Sequence, residues 1–344
     1  MRAAVVADFK DDLQLQSVED PTCPEDGVVL EVLACGVCRS DFHGWVGGHP
    51  KVTRGSIMGH EYCGTVVEAG PRAVHKVGDR LIAPFILSCG TCPLCHTGHS
   101  NACESAVVPG FGAPGAYAQY VAVPHDHNLV HLPQTMSPSL AAGLGCRVTT
   151  AWHALTDRAQ VRAGDWVAIH GTGGIGLSAL LLAKMLGAQV VVVDVVAEKL
   201  EHATRLGADA AVDASKENVA EAIRDITKGG AQVSIEALGI AQTTNASVDC
   251  LATLGRHVHV GMPSGDGMME LNIRAIYMKQ LSFYGTRGMP SWKYPRLLDM
   301  IERGAVDLSP MVAREIPLSQ ASAELRAMLG PTSPGTAVIT DFAA

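Results

Sequence analysis

The sequence predicts an α/β protein, a mostly β domain followed by a doubly wound parallel sheet. Three observations carry that expectation. Up to about residue 147, short apolar runs are separated by Gly and Pro; from about Thr150, strand-like runs alternate with helical ones; and a glycine-rich turn joins the first such strand to the first such helix.

In the first stretch, Val28 to Val37 is nearly continuous apolar sequence and reads as a strand, as do Thr65 to Glu68, Arg80 to Ala83 and Tyr117 to Val123. No long amphipathic helix interrupts them. Past Thr150, Asp165 to His170 is a short apolar run ending in glycines. Leu177 to Leu186 carries Leu and Ala at helical spacing. Gln189 to Val193 is a Val-rich strand ending in Asp194, and Glu198 to Leu206 is helical with Gly207 as its C-cap. Strand runs follow at Ala231 to Ile235, Arg256 to Val260 and Gln280 to Tyr284, and the tail from Gly285 returns to mixed character. The texture divides the chain into segments 1–147, 148–284 and 285–344.

Composition limits the functions. The 344 residues suggest about two domains. With 47% hydrophobic and 17% charged residues the chain is not disordered. A net charge of -8 without a basic block argues against nucleic acid as a partner. The opening MRAAVVADFK has no apolar signal core, and the apolar stretch from Trp166 to Val196 is broken by His170, Lys184 and Asp194. A cytoplasmic protein with no membrane partner is expected.

Gly171-Thr172-Gly173-Gly174-Ile175-Gly176 sits where a strand gives way to a helix. Gly171 allows a tight turn, Gly173 lets backbone approach a pyrophosphate, and Gly176 lets helix pack on strand. The helix N-terminus then offers free N–H groups to the anion. Asp194, at the end of the next strand, is placed to accept from a ribose diol. It would repel the 2′-phosphate of NADP, and Val195, Val196 and Ala197 offer no Arg to receive one, so NAD is the expected cofactor.

Cys89, Cys92, Cys95 and Cys103 follow the spacing C-x2-C-x2-C-x7-C. Four thiolates close a tetrahedral zinc shell, which makes this a structural site. His96 and His99 fall inside the loop and read as exposed. A dispersed set, Cys38, His60-Glu61 and Cys146, offers two thiolates and an imidazole, but spacing alone does not join residues so far apart. His125, His127 and His131 lie on a strand and turn and read as surface residues, and Met268-Met269 as packing.

Taken together, GVCRSDFH (36–43), GHEYCG (59–64), the four-cysteine loop, Cys146 with Thr150, GTGGIG (171–176), Asp194 with Lys199, and HVGMP (259–263) resemble the zinc-dependent medium-chain alcohol dehydrogenases over nearly the whole chain. The resemblance implies a GroES-like catalytic domain with an inserted Rossmann domain, two zinc ions and NAD. It implies that Cys38, His60 and Cys146 hold the catalytic zinc, with Glu61 able to coordinate it transiently and Asp41 orienting His60. Ser40 and His43 match a proton relay, and Arg39 a cation near the pyrophosphate. Thr150 and Val260 match nicotinamide contacts; Leu238 and Met262 count with them among the cofactor contacts, and Lys199 meets the ribose. Cys23, Cys35, Cys63 and Cys250 match no ligand position.

Three departures stand out. Arg147 replaces a small residue beside a zinc ligand and could pair with Glu61, reach the cofactor or point into solvent. Tyr62-Cys63 replaces a small pair. Thr336 stands where relatives often place a phosphate-binding Arg.

The implied reaction is oxidation of an alcohol to an aldehyde or ketone with NAD, and its reverse. A polyol or threonine dehydrogenase is the alternative within the family, although Cys146 as third ligand argues against the polyol enzymes. A zinc-ribbon nucleic-acid binder would leave GTGGIG unexplained, and a silent NAD-binding protein would have lost the open zinc site. Trp45, Tyr62, Phe85, Trp152 and Tyr284 are candidates for an apolar substrate pocket. The short segment from Cys103 to Phe111 resembles that of tetrameric relatives and implies a homotetramer, with a homodimer as the alternative.

Overall fold

The computed structural model describes residues 1–263, 267–330 and 334–343 and divides into two compact units, Met1–Thr149 with Gly288–Ala344, and Thr150–Arg287. Unit 1 opens with β1 (Arg2–Val5) and β2 (Gln14–Ser17), an antiparallel pair. β3 (Val28–Gly36) follows, buried on both faces as its apolar run requires, and leads into α1 (Arg39–Trp45). Then come β4 (Glu61–Ala69), β5 (Arg80–Ile82) and the short helix α2 (Pro93–His96). After β6 (Val108–Pro109) and β7 (Gly112–Ala113), β8 (Tyr120–Val123) and β9 (Val130–His131) return to the sheet. α3 (Pro138–Gly143), capped by the Ser137 hydroxyl, runs into a π-helical turn over Leu144–Val148.

Unit 2 begins within α4 (Thr149–His153) and contains β10 (Trp166–His170), α5 (Gly174–Met185), β11 (Gln189–Asp194), α6 (Ala197–Arg205) and β12 (Ala210–Asp213). α7 (Val219–Thr227), β13 (Ala231–Glu236), α8 (Ala241–Asp249), β14 (Leu251–His259), α9 (Ile273–Lys279) and β15 (Ser282–Gly285) complete it. The six strands are all parallel, in the order β12-β11-β10-β13-β14-β15. This is the doubly wound arrangement the sequence predicts. The strand order reverses between β10 and β13, where a ligand crevice belongs in such sheets. Gln280 begins no strand: it caps α9 in the left-handed conformation, so the edge strand starts two residues later.

The return segment carries α10 (Tyr294–Glu302), β16 (Val312–Pro317), α11 (Ala321–Ala327) and β17 (Thr336–Asp341). β17 inserts between β16 and β3, giving the sheet order β16-β17-β3-β4-β5-β9 with β8 also paired to β3. The largest core of unit 1 surrounds this sheet and includes Leu30, Trp45, Met58, Tyr62, Leu81 and Tyr117. Trp45 and Tyr62 are therefore core, not pocket wall; the Trp45 indole N–H donates to the Asp11 carbonyl at 2.6 Å. No helix among the described residues is long and apolar enough to cross a membrane.

Candidate metal centre and cofactor turn

Three parts of unit 1 converge on one buried point. Cys38 is the N-cap of α1, His60 immediately precedes β4 and Glu61 begins it, and Cys146 lies in the π-helical turn. Their ligand atoms all lie within 4.8 Å of one another. Such π-helical turns are rare and concentrate at functional positions because they push one residue out of helical register; no sequence period announces this one. Asp41, fully buried on α1, organises the group. One carboxylate oxygen accepts from the Cys38 N–H at 3.1 Å; the other accepts from the Gly59 N–H at 3.2 Å and stands 3.0 Å from His60 Nδ1.

With Nδ1 engaged, His60 Nε2 is left buried and without a hydrogen-bond partner. A buried polar atom in that condition costs about 1–3 kcal/mol unless something meets it. A metal ion held with Cys38 and Cys146 would meet it, and two thiols with one imidazole are a zinc-type donor set. The residues present therefore fit zinc. The Cys38 thiol is held well below the usual range, chiefly by a hydrogen bond from Cys146, with His60 and Arg147 adding to the effect.

Arg147 does not point into solvent. It is buried, its Nε donates to Glu61 Oε1 at 2.9 Å, its Nη2 donates to Oε2, and its Nη1 donates to the Thr336 hydroxyl. Gly36, opposite Glu61 across the β3–β4 ladder, makes room for the fork: a Cβ there would stand 2.5 Å from Glu61 Oε2 and 2.7 Å from Arg147 Nη2. Burial pushes the Glu61 carboxyl upward, and Arg147 opposes that shift.

The walls are apolar. Phe85 and Phe111 present their rings to His60 at centroid distances of 5.9 and 5.3 Å, and Phe85 and Ile86 cluster with Cys38 and Cys146. Phe111 was not foreseen; it reaches the site through a loop whose sequence gives no such signal. Ser40 and His43 are half-buried on α1, with Ser40 Oγ 3.9 Å from Cys38 Sγ. Arg39 is exposed, lies over the Phe42 ring and donates to the Met328 carbonyl at 2.8 Å.

In a second cluster, the sulfur atoms of Cys89, Cys92, Cys95 and Cys103 lie within 4.8 Å of one another. Cys89–Cys103 and Cys92–Cys95 separations are 3.5 Å, and Cys92–Cys103 is 3.8 Å. Thiolates around a tetrahedral zinc stand about 3.8 Å apart, so this group also fits zinc with no open position. His96 and His99 are exposed and stand outside the cluster.

In unit 2, α5 starts at Gly174 with Gly173 as N-cap. Gly171 has a φ of 93°, and a Cβ on Gly176 would stand 1.8 Å from the Gly171 carbonyl oxygen, so the turn and helix close only with glycine there. Around Gly173 nothing lies within 4 Å of the Cβ position, the open approach a phosphate needs. Ile175 is half-buried within the first turn of α5.

Asp194 holds this turn together, which the sequence reading missed. One of its oxygens accepts from the Thr172 N–H at 2.9 Å and hydroxyl at 2.7 Å, and the other from the Val195 and Val196 N–H groups. Glu236 does the same for the facing loop, accepting from the N–H groups of Leu238 and Gly239 and from the Thr243 hydroxyl. Leu238 and Met262 are exposed, Val260 and Lys199 half-buried and Thr150 buried.

Comparison with known proteins follows the same division. The model of the alcohol dehydrogenase GroES-like domain matches residues 24–134, and that of the zinc-binding dehydrogenase domain matches residues 174–303. An alcohol dehydrogenase from Geobacillus stearothermophilus is 37% identical over 270 residues, covering 77% of this chain and 78% of its own. A D-arabitol-phosphate dehydrogenase from Enterococcus avium is 30% identical over 308 residues, covering 87% and 86%. Among solved structures, one described as a zinc-binding dehydrogenase from Sinorhizobium meliloti 1021 bound to NADP superposes with a TM-score of 0.88 at 30% identity, covering 98% of each chain.

Proposed function

Because the chain belongs to the zinc-dependent medium-chain alcohol dehydrogenase family, we propose that it oxidises a primary or secondary alcohol to the aldehyde or ketone with NAD, and runs the reverse reaction. The observation that carries this reading is the orphaned His60 Nε2 within reach of Cys38, Glu61 and Cys146, with Asp41 holding the opposite ring nitrogen. Zinc in that donor set supplies Lewis acidity that lowers the proton affinity of the substrate oxygen, while NAD supplies the hydride acceptor.

The chain's own residues do the rest. Asp41 fixes the His60 tautomer and ring plane, so that Nε2 keeps its lone pair for a metal. Arg147 holds Glu61 by both oxygens and keeps that carboxylate from competing for the open position. Ser40 and His43, half-buried between the buried ligands and solvent, lead the alcohol proton outward. Burial, with Arg39 adding to it, pushes the His43 pKa down, which keeps the imidazole neutral and able to accept. Phe85, Phe111 and Ile86 exclude water and favour a medium-sized or aromatic alcohol over a polyol, whose hydroxyls would lack partners there.

In unit 2, Gly171 to Gly176 and the start of α5 receive the pyrophosphate, with Thr150, Leu238, Val260, Met262, Asp194 and Lys199 as cofactor contacts. The Sinorhizobium protein carries NADP; in this chain the Asp194 carboxylate, followed by Val195, Val196 and Ala197, supports NAD. A cytoplasmic homotetramer with two zinc ions per chain completes the reading. A panel of alcohols assayed with NAD and NADP at the nicotinamide absorbance band tests it. Cys38→Ala is expected to abolish turnover while leaving NAD binding intact; a variant that still turns over would overturn the assignment.

A further inference from the structure

His75, Asp79 and His131 form a cluster of metal-ligating side chains that belongs to neither centre described above. In sequence His131 stands with His125 and His127, and those two stack on each other with centroids 5.8 Å apart. In the fold His131 turns to different neighbours. Its ring meets that of His75 edge to face at 4.9 Å, and His75 Nδ1 lies 3.8 Å from an Asp79 carboxylate oxygen. One ligand atom from each of the three residues lies within 4.8 Å of the others.

Each backbone position is pinned separately. The His75 N–H donates to the Asp126 carboxylate at 3.0 Å. Asp79 ends a turn in which its own carboxylate accepts from the Lys76 N–H at 2.8 Å and its carbonyl accepts from the Val66 N–H at 2.9 Å. His131, on β9, is registered opposite Leu81 of β5, and Asp79 immediately precedes the first residue of that strand. The three side chains are therefore brought together by the hydrogen bonds of the turn before β5 and by the β5–β9 register. His75 and Asp79 are half-buried and His131 is exposed, so the group is open to solvent on one side.

We propose that His75, Asp79 and His131 are a third metal site, taking a divalent transition ion of the zinc, nickel or cobalt class. Two imidazoles and one carboxylate match that class, whereas magnesium and calcium take oxygen ligands. Ligands around such an ion stand roughly 3–3.5 Å apart, so closing the site requires only a rotamer adjustment, chiefly at the exposed His131. Water fills the remaining positions. The bound ion ties the turn before β5 directly to β9.

The inference does not depend on the dehydrogenase reading, and its test does not use activity. The full chain, without a histidine tag and with its cysteine centres loaded with zinc, is dialysed against nickel, and bound nickel and zinc are both counted. One nickel per chain is expected with no loss of zinc, and none of it is displaced by excess magnesium. His131→Ala and Asp79→Asn should each weaken nickel binding at least tenfold, and nickel should raise the melting temperature of the wild type more than that of either variant. Having two variants keeps the test decisive should one fail to fold. Absence of bound nickel in large excess of the ion, nickel replacing zinc mole for mole, or undiminished binding in the variants would each overturn the proposal.

Discussion

At the scale of single residues, the Glu61–Arg147 pair shows how a departure in sequence acquires a physical role. Both side chains are buried and joined by two hydrogen bonds, with Thr336 taking a third. Removing one partner of a buried pair strands the other charge, at a cost of about 3–5 kcal/mol. Arg147→Met is therefore expected to lower stability by about that amount in urea unfolding. Arg147→Lys should recover only part of it, because an ammonium cannot make the planar fork. Equal stability of the wild type and Arg147→Met would show that the pair is not formed. In unit 2, burial pushes the His170 pKa down to about 3. The unfolded chain, with His near 6.5, binds the extra proton first, so the stability that neutral His170 contributes is complete above about pH 6.5 and is lost as pH falls toward 3, at up to about 1.4 kcal/mol per pH unit. His170→Leu should flatten the decline in urea midpoint between about pH 7 and 5; an unaltered slope would exclude His170 as its source. The sequence leaves the Glu61 pair as one of three alternatives for Arg147 and, across 86 positions, nothing in it selects that one; whether a His in an apolar strand is buried or paired depends on what covers it.

Elements were more legible where their signal is local. The parallel strands of unit 2 announce themselves because both faces are covered, which demands unbroken runs such as Val190–Val193. α9 escaped notice because Ile273, Tyr277 and Met278 lie on its exposed surface, so it buries no apolar stripe that could set a helical period. The gathering of Cys89 to Cys103 can be read from spacing, since all four sulfur atoms lie within one loop. The meeting of Cys38, His60 and Cys146 cannot, because it needs a helix start, a strand start and a π-helical turn from separate stretches. The cysteine loop also carries an energetic expectation. Apart from Leu94 it has little apolar surface to pack, so a closed metal shell would be its main support. Cys95→Ser should remove one zinc per chain and lower the melting temperature by roughly 6–12 °C, taking a loss of about 3 kcal/mol, while the Cys38–His60–Cys146 centre keeps its metal. Unchanged zinc content and melting would remove the structural role.

For the whole molecule, the surface of unit 2 carries a group of exposed apolar side chains. Ile273, Tyr277 and Met278 on α9 are each more than half exposed, and β15 beside it, the last strand of the sheet among the described residues, carries the exposed Phe283. An apolar patch next to the last strand of a sheet invites a second copy. Tyr277→Glu with Met278→Glu is expected to shift sedimentation toward smaller species, and an unaltered profile would place the interface elsewhere. The position of β17 has a different consequence, in the order of synthesis. It fills the gap between β16 and β3, and Thr336 on it receives the Arg147 hydrogen bond beneath the buried centre. During translation the strands of unit 2 are all available before residues 336–341 leave the ribosome, whereas the Cys35–Gly36 end of β3, beyond its pairing with β8, waits for its partner. A nascent chain can therefore complete its parallel-sheet unit while the sheet of unit 1 is still unfinished, and a ribosome stalled before residue 336 would carry a finished unit 2 beside a β3 whose Cys35–Gly36 end offers an unpaired edge.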